Sequence, residues 1–324
     1  MNTQCGRGIN STNVRIIIFA ALCAIGTAGC ASAIRSTHPL DVPAPHIPVG
    51  ADAASLVREG TAWAAQGHWS RALRAFDEAV QLNNGVAATH YNRGVALVAL
   101  GRVDEAMRAY AAALLIDPSL GQAQVNIGVE LFKLGRPGEA LAALRKALRT
   151  SPRLAAAHYN LGIVLAELGR LDEAVGALER AIALAPDEPA MRTALAEIHY
   201  NTGVSLAGQR RWRDAIARYR LAIGFNRELP EGFNGLGVAL ARLDNHQQAL
   251  PMYGEAVRLR PSYAEAHYNL AVSLAAVGRY SDAIESCRAT LRVRPGLREA
   301  ASLLESLQRA PGEPARPART IISR

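Results

Sequence analysis

Apolar residues along this chain return every three to four positions, and that pattern itself returns every 34 residues from Ala53 to Leu297. Apolar spacing of three and four is the mark of an amphipathic helix, so each period reads as two such helices joined by a turn. The frame is a glycine near the middle of the first helix and an alanine twelve residues on. A large apolar or aromatic residue follows four later, a second alanine three later and a proline five beyond that. Residues 87–120 show it as Gly94, Ala106, Tyr110, Ala113 and Pro118, and residues 121–154 as Gly128, Ala140, Leu144, Ala147 and Pro152. Residues 155–188 give Gly162, Ala174, Leu178, Ala181 and Pro186; residues 230–263 give Gly237, Ala249, Tyr253, Ala256 and Pro261. A period of this length means stacked supersecondary units with a shared, elongated core.

The residue types explain the packing. The first glycine and the two alanines mark close helix approaches, where a larger side chain overpacks. A second glycine (Gly67, Gly101, Gly135, Gly169, Gly278) falls between the helices, a position suited to a left-handed cap. The proline closes the second helix. Three units are degraded. Residues 53–86 keep Gly60, Trp63, Ala72, Phe76 and Ala79 but have Asn84 for proline; residues 196–229 keep Gly203, Ala215, Tyr219 and Ala222 but carry Arg210 and Arg227 at the glycine and proline sites. Residues 264–297 substitute Ala271 for the first glycine and Thr290 for the last alanine, keeping Gly278 and Pro295. Seven inserted residues, 189–195, separate the fourth and fifth units. Seven residues are nearly two helical turns, so the apolar face stays in phase. With Asp187 as cap and Pro189 as opener, the spacing predicts one lengthened helix from Pro189 to about Ala207. Residues 298–310 form one more amphipathic stretch, with Ala300, Leu303, Leu304 and Leu307 on one face, as a capping helix should. Residues 311–324 are rich in proline and arginine and read as a disordered tail.

The segment AAHYNLGIVLAELGRLDEAVGALERAIALAPDEP, residues 156–189, resembles the tetratricopeptide repeat (TPR) at almost every position of that pattern. The likeness extends over about three quarters of the chain. It implies an all-α fold, a right-handed α-solenoid of seven helix–turn–helix units followed by the capping helix. It also implies that the first helix of each unit lines a concave groove that binds protein or peptide partners.

The N-terminus bears on compartment. Arg7 and Arg15 precede an apolar run from Ile16 to Ile25, then Gly26-Thr27-Ala28-Gly29-Cys30. A charged start, an apolar middle and small residues describe a secretory signal over residues 1–29. The last five residues resemble the lipobox of bacterial lipoproteins, with Thr27 in place of the favoured leucine; the resemblance implies cleavage before Cys30 and its acylation. Cleavage after Ala31-Ser32-Ala33, leaving a soluble periplasmic protein, and an uncleaved anchor over Ile16 to Ile34 remain alternatives. All three put the repeats outside the cytoplasm. In enteric lipoproteins an aspartate after the acylated cysteine signals inner-membrane retention; Ala31 stands there, which favours the outer membrane. Residues 30–52, with Pro39, Pro43, Pro45 and Pro48, read as a semi-rigid tether holding the repeats off the bilayer.

Composition narrows the chemistry. The formal charge is +8, about +6 once the two signal arginines leave, and only Lys133 and Lys146 are lysines. No basic block is interleaved with aromatics, so nucleic acid is not an expected partner. Of four cysteines, Cys5 and Cys23 leave with the signal and Cys287 holds the large-apolar site of its repeat, so no disulfide framework is expected. His90, His158, His199 and His267 recur by period, whereas metal ligands must converge on one point; they read as packing residues at helix starts. Asp104-Glu105 and Asp172-Glu173 open second helices, where acids complement the dipole. No phosphate loop, serine elbow or Cys–His pairing is present, and no stretch outside the repeats is long enough for a catalytic domain. The expectation is therefore no enzyme, no cofactor, no metal and no small-molecule substrate.

A binding surface remains. Tyr91-Asn92, Tyr159-Asn160, Tyr200-Asn201 and Tyr268-Asn269 recur on first helices, and Asn126 completes the set of asparagines; Asn234-Gly235 interrupts it. An amide offers a donor and an acceptor, so it can hold a peptide bond without reading side chains. Three residues along run Val95, Val129, Ile163, Val204, Val238 and Val272, an apolar stripe beside the asparagines. The row resembles the asparagine ladder of TPR proteins that hold extended polypeptides; the lysines that clamp acidic C-termini in another subclass are absent. In the competing reading the asparagines are simply common at this position of TPRs and the tyrosines serve to pack between helices. The implied function is an envelope scaffold that gathers partners, as TPR lipoproteins do in pilus assembly, secretion, polysaccharide export or cell-wall complexes. The alternative is a periplasmic chaperone-like holder of extended clients.

Overall fold

The structure, a computed structural model, describes residues 52–309. The expected signal, the acylated Cys30, the tether up to residue 51 and the tail lie outside the described residues. Among the described residues every regular element is helical. The first four hairpins are α1 (Ala53–Ala65) with α2 (Trp69–Leu82), α3 (Ala87–Ala99) with α4 (Val103–Ile116), α5 (Gly121–Lys133) with α6 (Pro137–Thr150), and α7 (Ala155–Glu167) with α8 (Leu171–Leu184). Three more follow: α9 (Pro189–Gly208) with α10 (Trp212–Phe225), α11 (Pro230–Ala241) with α12 (His246–Leu259), and α13 (Ala264–Ala276) with α14 (Tyr280–Val293); α15 (Arg298–Arg309) comes last. No described helix is long and apolar enough to cross a membrane.

The described residues divide into two compact units, one ending at Met191 and the other beginning at Arg192, the division falling inside α9. The inserted residues 189–195 are helical, and Met191, Ala194, Leu195 and Ile198 of α9 are buried at the spacing of one helix face. In the N-terminal unit, Ala72, Phe76, Ala96, Leu97, Ala106, Tyr110 and Ala113 form one core cluster. In the C-terminal unit, α13 and α14 pack with Leu303 and Leu307 of α15, whose buried face is Ala300, Leu303 and Leu307.

The recurring glycine has a steric cause. A Cβ added to Gly94 would stand 2.5 Å from the Tyr110 ring, and one on Gly162 would stand 2.7 Å from Leu178. In the C-terminal unit, a Cβ on Gly237 would stand 2.6 Å from Tyr253. Each glycine thus admits the large residue of its own second helix. The seventh repeat keeps the balance differently: Ala271 fills the glycine site, and the large residue shrinks to Cys287 in the same cluster. Cys287 is buried and its thiol pKa is pushed up to about 12 by that burial, which leaves it unreactive.

Between helices, Gly67, Gly101, Gly135, Gly169 and Gly278 all have positive φ, and Arg210 (φ 60°) and Asp244 (φ 64°) hold the same place in the fifth and sixth hairpins. A side chain there is strained, because its Cβ crowds the backbone. Arg210→Gly is therefore expected to stabilise the C-terminal unit by about 0.5–1 kcal/mol, the relief of that strain exceeding the added chain entropy. A urea midpoint at or below that of wild type would refute this.

Candidate functional site

The asparagine row occupies the first helices; on α3, α5, α7 and α9 a glycine set against the large residue of the second helix fixes how the two face each other. Tyr91, Asn92 and Val95 lie on α3, and all three are half-buried; Asn126 on α5 is half-buried as well. The Asn126 amide nitrogen donates to the Tyr110 hydroxyl at 3.3 Å and reaches that of Tyr91 at 3.5 Å. Those two rings lie 5.9 Å apart, tilted by 43°. Burial raises the pKa of both phenols, and the hydrogen bond from Asn126 opposes the rise, so each hydroxyl stays protonated. Beside Asn92, Arg93 is ion-paired to Asp77 of α2.

On α7 the row sinks into the protein. Tyr159 is fully buried, Ile163 and Asn160 nearly so, and the Asn160 nitrogen donates to the Ala156 carbonyl of its own helix at 2.8 Å. Val129 on α5 is buried too.

In the C-terminal unit Tyr200, Asn201 and Val204 of α9 are half-buried, whereas Val238 on α11 and Tyr268, Asn269 and Val272 on α13 are buried. Asn269 is 0% exposed and donates to the Asn234 oxygen at 3.0 Å; Asn234 in turn donates to the Tyr263 hydroxyl at 3.4 Å. This internal chain was not legible from the repeat pattern, in which Asn234 stands where other repeats have tyrosine. Gly235, at the asparagine point, has its own reason: a Cβ there would stand 2.8 Å from the Tyr219 ring. The row is thus accessible in two places, Tyr91, Asn92, Val95 and Asn126 in one unit and Tyr200, Asn201 and Val204 in the other.

The histidines have a tractable role. His90, His158 and His267 each direct Nε2 at a carbonyl of the preceding turn, that of Asn84, Pro152 or Pro261, at 2.9–3.0 Å. The ring nitrogen donates, tying the turn to the helix that follows it. His199 departs from this. It is buried, stacks on Phe225 at 5.7 Å and faces Arg218; burial first and that arginine second lower its pKa to about 4, so it is neutral. Acids near the start of second helices meet the preceding arginine, as in Arg102–Glu105, Arg136–Glu139 and Arg170–Glu173. Asp77, by contrast, lies inside α2. Among the described residues no group of His, Cys, Asp and Glu converges as metal ligands do.

Stacked two-helix units with glycine set against a large residue define the architecture, and sequence comparison agrees. The family model described as Tetratricopeptide repeat matches residues 57–120, 125–189 and 234–314, and the chain belongs to that family. The gap at 190–233 holds the insertion after Pro189 and the repeat whose glycine and proline sites are Arg210 and Arg227. No curated protein sequence matches the chain. Similar solved structures include YrrB, described as a TPR protein with an unusual peptide-binding site, at 21% identity over 61% of this chain and 99% of that one, TM-score 0.46. PilF of Pseudomonas aeruginosa matches at 18% identity over 64% of this chain and 92% of its own, TM-score 0.49. A tetratricopeptide repeat protein of Parabacteroides merdae matches at 14% over 80% and 99%, TM-score 0.48. The TPR fold makes the chain a protein- or peptide-binding scaffold, and the matched family is one of repeats, not of enzymes.

Proposed function

We propose that this protein is a non-enzymatic scaffold of the cell envelope, anchored by lipid on Cys30, whose first helices hold partner proteins or extended peptide segments. The observation that carries the binding reading is the half-buried group Tyr91, Asn92, Val95 and Asn126 on α3 and α5. It combines an aromatic, an aliphatic and amides within one face, as a peptide site requires. The Asn92 side chain has no hydrogen-bond partner among the described residues. Outer-membrane placement rests on Ala31 and the lipobox-like residues before Cys30.

The binding test is co-purification from crosslinked cells, wild type beside Asn92→Ala with Asn126→Ala. Partners are expected to be lost in the double variant while helical circular dichroism persists, at about 0.5–1.5 kcal/mol per amide. Retention of every partner would move the site elsewhere. For the anchor, Cys30→Ala should abolish labelling by a clickable fatty acid, and persistent labelling would remove the lipobox from the account.

A further inference from the structure

We propose that the exposed face of α10, the second helix of the fifth hairpin, is a docking site for an acidic segment of a partner protein. The site lies apart from the first helices and does not depend on their asparagines.

Charge is unevenly placed along the chain. Residues 52–309 carry 30 Lys or Arg and 26 Asp or Glu, and residues 210–228 alone hold six arginines against two acids. The positive excess of the described residues therefore sits in this one stretch, and the remainder is balanced. Arg211 is engaged by Asp214 at 2.7 Å and Arg218 faces His199 at 3.5 Å. Arg210, Arg213, Arg220 and Arg227 are exposed and pair with no acid among the described residues. Arg213 and Arg220 share one side of α10, nearly two turns or roughly 10 Å apart, and Arg227 follows seven residues on, just past the helix end. Ala217, Leu221 and Gly224 are exposed beside them. The two small residues let a partner chain come close, and Leu221 offers it an apolar contact.

The fold does not ask for these arginines. At the four equivalent points the fourth repeat has Gly169, Asp172, Glu179 and Pro186, and the second repeat has Asp104 where Arg213 stands. Arg210 is held at a φ of 60°, where glycine is unstrained. Arg213 lies in the first turn of α10, where the helix dipole favours an acid. Residues that depart from the local rule at some loss of stability, four times on one helix and its flanking turns, mark a surface kept for a partner. Charge complementarity makes that partner anionic, and the chain is a protein-binding scaffold, so the anion is a polypeptide carboxylate. A single file of cations suits a segment. Steps of roughly 10 Å match acids at every seventh residue of a helix or about every third of an extended strand.

The test titrates the full chain with a fluorescein-labelled oligoglutamate of about 20 residues, long enough to span the file extended or helical. It is run at about 0.1 M salt, where charges more than about 10 Å away are largely screened. Arg213→Asp with Arg220→Glu installs the residue types of the fourth repeat, so helical circular dichroism should persist; affinity should fall about tenfold or more. Arg213→Gln with Arg220→Gln removes the charges without reversing them and should cost about threefold. The control is Arg149→Glu with Arg153→Glu, two exposed arginines that pair with no acid among the described residues. It changes the net charge by the same amount and should stay within about twofold of wild type. Absence of oligoglutamate binding by wild type, or an equal loss in the control, would overturn the proposal. So would binding to phosphatidylglycerol vesicles that needs Arg213 and Arg220 while oligoglutamate binding does not, since the face would then meet a lipid surface.

Discussion

Gly94→Leu is expected to cost the N-terminal unit about 3 kcal/mol or more by overpacking and to expose α3 and α4 to rapid hydrogen exchange. Even the first carbon is too much: a Cβ at this position would stand 2.5 Å from Cε1 and 2.7 Å from Cδ1 of Tyr110. Tyr110 cannot retreat, because it is buried in the cluster with Phe76 and Leu97 and its hydroxyl holds Asn126. Two effects compete in the milder Gly94→Ala. Helix propensity favours alanine by about 1 kcal/mol, and overpacking opposes it by about 1–3 kcal/mol. With a rigid ring as the neighbour, overpacking wins and the variant should be less stable than wild type. The control is Gly176→Ala in the middle of α8, where an added Cβ meets nothing within 4 Å. There propensity acts alone, and the same substitution should stabilise by up to about 1 kcal/mol. Native-state hydrogen exchange suits a repeat protein, whose units open separately. A Gly94→Ala protein as stable as wild type would break this account of the glycine.

How much of this was legible beforehand follows the range over which each feature is determined. The hairpins were legible because Gly94, Ala106, Tyr110 and Ala113 lie within one repeat and recur. The lengthened α9 was legible because seven residues preserve helical phase, so Met191, Ala194, Leu195 and Ile198 keep one face. The periodic histidines were legible as structural, though not that they tie the preceding turn. The asparagines were legible as equivalent positions of successive first helices, but their depth was not. Asn92 and Asn269 occupy equivalent points, yet one is half-buried and the other sealed, its amide donating to Asn234 one repeat earlier. That pair joins residues 35 apart through Asn234, a side chain that breaks the repeat, and periodicity averages out the position that decides it.

Glu197 shows the same principle and gives the second large effect. Glu197, Glu231 and Glu265 stand one period apart on successive first helices of the C-terminal unit. Glu231 is paired with Arg260 and Glu265 with Arg294 at 2.7 Å, each arginine 29 residues on. The position 29 residues after Glu197 is Asn226, which caps α10 with its own backbone turn instead. Among the described residues Glu197 thus lacks the arginine that its two counterparts have. Burial first, and the Glu231 carboxylate second, raise its pKa to about 7. An acid with a raised folded pKa contributes fully below its unfolded value, near 4.5, and its contribution is lost as pH rises through about 7. With allowance for its partial exposure to solvent, the loss is on the order of 1–3 kcal/mol. Glu197→Gln should therefore be more stable than wild type at pH 8, with the difference shrinking to nothing near pH 4. Asn226→Arg should lessen the same penalty by supplying the absent partner, at the expense of the Asn226 turn. Hydrogen exchange of α9 and α11 across this pH series decides the matter: a difference between Glu197→Gln and wild type that stays constant with pH would mean that Glu197 does not hold its proton into the neutral range.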